Sequence, residues 1–126
     1  MVLKFRAWDK LGKEMHKVSA IDFSSKGARI IRLAGVQSNS KGDHKRWHSS
    51  VELMQSTGFK DVNGVEIYEG DIVQDSYSGE VSFIEFKEGA FYITFSNVTE
   101  LLSENDDIIE IVGNIFENEM LLEVMR

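Results

Sequence analysis

Four consecutive residues, Lys45-Arg46-Trp47-His48, are the side chains in this sequence best suited to holding a ligand. Lysine and arginine can hold phosphates, and an indole face can stack on a base. A plainer reading stands beside that one: Trp47 opens a strand running to Met54 and is buried, while Lys45 and Arg46 meet acidic residues from the second half of the chain. His44 and His48 are four apart, which on a helix would put both imidazoles on one face, where they could share a metal. Gly42 and Trp47 do not suit a helix, and only Asp43 stands near as a third ligand, so the segment reads as a solvated loop or strand.

Other patterns point away from chemistry. Asp61-Val62-Asn63-Gly64 opens like a calcium loop, but the EF-hand pattern wants glycine at position 6 and glutamate at position 12. Here glycine falls at the fourth position and Ile72 at the twelfth, so the segment reads as a β-turn. The serines form no Gly-x-Ser-x-Gly elbow and no local motif pairs a serine with a histidine as nucleophile and base, and the glycines fall singly rather than as a phosphate-cradling loop. Most of Glu66, Glu69, Asp71, Glu104, Asp106 and Asp107 read as a solvated acidic face. The expectation is a non-enzymatic protein with no catalytic, metal or cofactor site.

These residues must be positioned by short strands. The chain has ten glycines and no proline, so glycine supplies most of the punctuation. Leu3 to Trp8 largely alternates apolar and polar, Asp9 to Lys13 is a turn, and Glu14 to Val18 returns, which predicts a hairpin. Ile21 to Phe23 and Ala28 to Leu33 are short apolar pieces, and Ser38 to Asp43 is the most polar stretch and reads as a loop. Around the stretch Leu53 to Val73, Val51, Leu53 and Gln55 end a strand, and Gly58 allows a chain reversal. Asp61 to Gly64 turns, Glu66 to Tyr68 is extended, Glu69-Gly70 turns again, and Asp71-Ile72-Val73 enters the core. Gly79 to Lys87 and Ala90 to Ser96 form a hairpin about Glu88-Gly89. Ile108 to Val112 is a strand broken by Gly113-Asn114, and Asn118 caps a helix over 119–125 with Met120, Leu121 and Val124 on one face. Such a density of short strands favours a small barrel or sandwich: a mainly β, β-rich α+β domain. We read 1–126 as one domain, with a possible subdivision into an N-terminal β extension over 1–50 and a core over 51–126.

Composition bounds the rest. The 126 residues suffice for a single core without staples, and the absence of cysteine excludes disulfides, cysteine-ligated zinc and thiol nucleophiles. Met1 to Lys10 has no apolar segment of the signal-peptide kind, and no apolar run is long enough to span a membrane, so a cytoplasmic protein is expected. Asn97-Val98-Thr99 is read as a chance sequon. The net charge of −7 argues mildly against general nucleic-acid binding. Its distribution is lopsided: residues 1–60 hold 12 Lys and Arg against 5 Asp and Glu, a net of +7, while residues 61–126 hold 2 against 16, a net of −14. The halves can meet within one fold, meet between copies in a homo-oligomer, or leave the basic half for an external anion.

Three stretches together resemble the YopX family of small phage- and prophage-encoded proteins. Phe5-Arg6-Ala7-Trp8-Asp9 is similar to its opening. Leu53-Met54-Gln55-Ser56-Thr57-Gly58, Asn63-Gly64 and Ile67-Tyr68-Glu69-Gly70-Asp71-Ile72-Val73 are similar to its centre, and Ile111-Val112-Gly113-Asn114-Ile115-Phe116-Glu117-Asn118 to its end. Glu119 departs from the family, where proline is expected, which bears only on how sharply the helix starts. The resemblance implies phage origin in a bacterial host and a small SH3-like barrel core with added N-terminal strands and a short C-terminal helix. It implies no activity. The expected partners are further copies of the chain or a phage or host protein; the alternative is a nucleic-acid-binding accessory module contacting through Lys45, Arg46, Trp47 and His48.

Overall fold

A computed structural model describes residues 4–23, 29–34 and 44–124. The chain forms two compact units, Met1–Gln55 and Ser56–Arg126. The expected loop at Ser38 to Asp43 lies outside the described residues.

In the first unit the predicted hairpin forms from β1 (Phe5–Asp9) and β2 (Glu14–Phe23), with Arg6 opposite Lys17 and Asp9 opposite Glu14. The apolar piece at 21–23 extends β2. Strands β3 (Arg29–Leu33) and β4 (His44–Trp47) follow, then a 3-10 turn over His48–Ser50 and the start of β5 (Val51–Lys60). All pair antiparallel in the order β4-β3-β2-β1-β5. Alternation puts one face of this sheet inward: Ala7, Ile31, Leu33 and Val51 are buried, and Val18, Ile21 and Leu53 pack beside them. Full burial of a side chain the size of Ile31 or Leu33 contributes roughly 1.5–3 kcal/mol of transfer free energy.

The second unit holds the rest of β5, then β6 (Glu66–Tyr68), β7 (Asp71–Asp75), β8 (Val81–Phe83), β9 (Glu85–Lys87), β10 (Ala90–Phe95), β11 (Val98–Leu101), a 3-10 turn at Leu102–Glu104, β12 (Ile109–Asn114) and the helix α1 (Met120–Val124). Strand β6 pairs with β5, and two three-stranded sheets run β11-β10-β9 and β12-β7-β8. Ile67, Val73, Ile84, Ile93, Leu102 and Ile109 form its core. The β-rich class stands. Strand pairing among the described residues gives open sheets and closes no barrel.

Several boundaries differ from the sequence reading for identifiable reasons. Strand β5 does not end near Gln55; it continues to Lys60 through a register shift between Ser56 and Lys60. Gly58, at φ +80°, makes that bulge rather than a reversal. The Ser56 hydroxyl donates to Glu66 and accepts from the Gly58 N–H, while the Thr57 hydroxyl donates to the Ile67 carbonyl at 2.7 Å and accepts from the Phe59 N–H at 3.1 Å. Both hydroxyls serve the backbone where the ladder is interrupted. The stretch Gly79 to Lys87 is two strands split at Ile84, because β8 pairs with β7 and β9 with β10. Strand β11 has no expected counterpart. Gly113-Asn114 lies inside β12, at a bulge after Ile111, instead of ending it. Asn118 does not cap α1 with its side chain: its Oδ1 accepts the Asn114 N–H at 3.1 Å. Of the face predicted for the helix, Met120 is exposed and Leu121 half-buried, and the side chain of Val124 lies outside the described residues.

Candidate interaction site

The site grows from one buried carboxylate in the first unit. Asp9 ends β1 and is 3% exposed. Its Oδ1 accepts the Leu11 N–H at 3.1 Å and Arg46 Nε–H at 2.9 Å. The Lys13 N–H reaches the Asp9 carbonyl at 2.7 Å. One residue therefore closes the β1–β2 turn and ties it to β4, three strands away in the sheet. Gly12 makes the fit possible, because a Cβ there would stand 2.7 Å from Asp9 Oδ2. Burial pushes the Asp9 carboxyl up. The Arg46 hydrogen bond, the Gly12 and Leu11 N–H groups and the Arg46 charge more than offset that and hold it below its ordinary value.

With turn and strand joined, a shallow groove of about 250 Å³ opens between them, lined by Leu11, Ile30, Lys45, Arg46, Trp47 and Ser50. Ile30 and Trp47 are direct cross-strand neighbours. Two large apolar side chains stand in solvent here, Leu11 at 68% exposure and Trp47 at 56%. Lys45, one strand step from Trp47 on the same side of β4, is also exposed. The groove thus offers apolar walls and a cation, a surface that can take an apolar side chain accompanied by an anion.

The four residues singled out from sequence separate here. Lys45 and Trp47 face the groove and are exposed. Arg46 is half-buried and engaged by Asp9, an acid of the first half of the chain. His48 is exposed at the start of the 3-10 turn and does not line the groove. The plainer reading of Trp47 is corrected: it ends β4 instead of starting a strand to Met54, and it is not buried, because the 3-10 turn over His48–Ser50 intervenes before β5. The backbone of His44 lies in β4, and its side chain lies outside the described residues. Among the described residues no group of three His, Cys, Asp or Glu side chains could hold a metal ion. Sequence reasoning missed Asp9, Leu11, Ile30 and Ser50. Leu11 did carry a signal: it is an apolar residue in an otherwise polar turn, with no alternation to bury it.

The other two buried aspartates, both in the second unit, have backbone roles. Asp61 Oδ1 accepts the Asn63 and Val65 N–H groups, both at 2.9 Å, and its Oδ2 accepts the Ile111 N–H at 3.0 Å. Asp71 Oδ2 accepts the Tyr68 N–H at 2.7 Å. The expected turn at Asp61 to Gly64 is present, with Gly64 at φ +78°.

Comparison with known proteins bears on the whole chain. The model of the YopX protein family matches residues 4–123. The crystal structure of protein EF1440 from Enterococcus faecalis is similar at 30% identity, with a TM-score of 0.66 over 97% of this chain and 99% of that one. The crystal structure of protein yopX from Bacillus subtilis is similar in fold at 20% identity, with a TM-score of 0.65 over 94% of this chain and 97% of that one. No curated protein matches. Among the described residues no helix is long and apolar enough to cross a membrane.

Proposed function

The chain belongs to the YopX family, and from that premise we propose that it is a non-enzymatic interaction or assembly protein that associates with itself. We place it in the cytoplasm of a bacterium whose genome carries the phage or prophage encoding it. The observation that carries the self-association reading is the edge of the first unit. Among the described residues β4 is the outermost strand of its sheet, and it bears exposed Trp47 beside the groove. An outermost strand presents backbone donors and acceptors to another strand, and an exposed aromatic at its end supplies an apolar anchor. The buried carboxylates favour the non-enzymatic part, since Asp9, Asp61 and Asp71 all serve turn N–H groups. Size-exclusion chromatography with light scattering at low and high salt tests the reading. The expected result is a species heavier than one chain whose share falls as salt rises. A strict monomer in both conditions overturns it.

A second reading, a nucleic-acid accessory module, is favoured by one observation: exposed Trp47 stands beside exposed Lys45, so a base could stack where a phosphate could be held. Titration with single- and double-stranded DNA and RNA at two salt concentrations separates it from the first. Absence of binding at low salt removes it.

A further inference from the structure

The first unit's exposed edge has a complement in the second. Among the described residues strand β11 is the outermost strand of the sheet β11-β10-β9, and all four of its residues, Val98, Thr99, Glu100 and Leu101, are exposed. An exposed outer strand that carries Val98 and Leu101 is a template for pairing. Strand β4 is basic where β11 is acidic, and the units around them differ in the same sense: residues 1–55 carry 11 Lys and Arg against 5 Asp and Glu, and residues 56–126 carry 3 against 16.

We infer that β4 of one copy pairs antiparallel with β11 of a second copy, with Lys45 opposite Glu100 and Trp47 opposite Val98. The register follows from the period of two along each strand. Lys45 and Trp47 lie on one face of β4, and Val98 and Glu100 on one face of β11, so a single antiparallel alignment makes both pairs together. A parallel alignment that kept Lys45 against Glu100 would set Trp47 against Leu102, which is fully buried in its own unit. Pairing β4 with another β4 would bring Lys45 and Arg46 against their own kind, and like charges directly opposite are destabilising. The chosen register instead supplies one opposite-charge pair and one aromatic–β-branched pair, both favourable across strands. Glu100 is held ready: its Oε2 accepts the Asn105 side-chain N–H at 3.0 Å, which leaves lone pairs for an ammonium. The contact joins unlike edges, so it can close as a reciprocal pair or continue from copy to copy. Four residues a side make it a small interface of the weak, transient kind, sensitive to concentration and salt.

This inference rests on the self-association reading, and charge exchange tests the two apart. Self-association of the full chain is measured by sedimentation equilibrium for wild type, K45E, E100K and K45E/E100K, with circular dichroism to check folding. Each single reversal is expected to weaken association about tenfold, because an attraction becomes a repulsion. The double exchange is expected to restore it. Trp47→Ala, which removes the apolar pair without touching charge, should weaken it as well and serves if a reversal fails to fold. A wild type that never associates overturns both the inference and the reading beneath it. Association that the single reversals leave unchanged, or that the double exchange does not restore, overturns the β4–β11 contact alone.

Discussion

At the scale of single residues, three aspartates govern local geometry by taking backbone N–H groups out of contention. Asp61 has the greatest reach, since its carboxylate serves two N–H groups of its own turn and one of β12, fifty positions away. An unsatisfied buried donor costs about 1–3 kcal/mol, and bonds to a charged acceptor lie at the upper end. Asp61→Ala should therefore lower stability by about 2–4 kcal/mol in urea unfolding. Asp61→Asn should cost nearly as much, because its amide would turn a donor toward either the Ile111 N–H or the turn N–H groups. If the asparagine variant unfolds at the wild-type midpoint, the carboxylate is not the acceptor that matters.

Asp9 makes a pH-dependent prediction. Its carboxyl titrates lower in the folded chain than in the unfolded one, so it contributes stability above the unfolded value of about 4. That contribution is lost as pH falls through the lower folded value, when the proton breaks the bond to Arg46. Asp9→Asn should be less stable than wild type at neutral pH, and the gap should narrow steadily below about pH 4. Urea midpoints measured across that range check it; a gap that is constant with pH would show that Asp9 is not the titrating group.

At the scale of elements, turns were far more legible than strand partners. The β9–β10 hairpin was plain in Glu88-Gly89 flanked by aromatic and β-branched residues. Both turn residues have positive φ, +48° and +82°, the geometry whose twist matches the strands it joins. Glycine adopts it without cost, but glutamate carries a Cβ there. Glu88→Asn should accordingly raise stability, by up to about 1 kcal/mol, and lift the thermal midpoint. An unchanged or lower midpoint would mean that the turn is not what limits this hairpin. Strand partners were hidden because they depend on residues remote in sequence. Gly79 to Lys87 looks like one strand, yet Ile72 pairs with Phe83 while Glu85 pairs with Tyr92. Nothing local at Ile84 announces that change of partner. Gly58 permits a positive φ either way; only the second partner, β6, makes it a bulge. Gly113 is similar, since its missing side chain is explained by Asn118 packed where a Cβ would stand 2.5 Å from Oδ1.

At the scale of the whole molecule, charge is the largest uneven quantity. The second unit concentrates 16 acidic residues against 3 basic ones. Such an excess of one sign strains a compact state through self-repulsion. Exposed ion pairs such as Arg32–Asp22 at 2.8 Å and Lys10–Glu52 at 3.1 Å are each worth only about 0–1 kcal/mol. Screening should therefore remove more repulsion than attraction. Raising salt from about 0.01 to about 1 M, which shortens the screening length from about 30 to 3 Å, should raise the thermal midpoint. A falling midpoint would place the balance with the ion pairs instead. The same salt should weaken self-association, so stability and association are expected to move in opposite directions.

The sequence by itself determined the β-rich class, the turns at Asp61 to Gly64 and Glu88-Gly89, the separation of charge and the family, because each rests on residues adjacent in the chain or on composition. It also marked Lys45 and Trp47. Only the tertiary structure decided that Trp47 is exposed, that Arg46 is engaged by Asp9, and that Leu11 and Ile30 complete a groove with them. Those outcomes depend on β4 lying three strands from β1 in the sheet while the β1–β2 turn folds back to it. A buried carboxylate makes that link across 37 positions of sequence, and no local pattern encodes a distance of that kind.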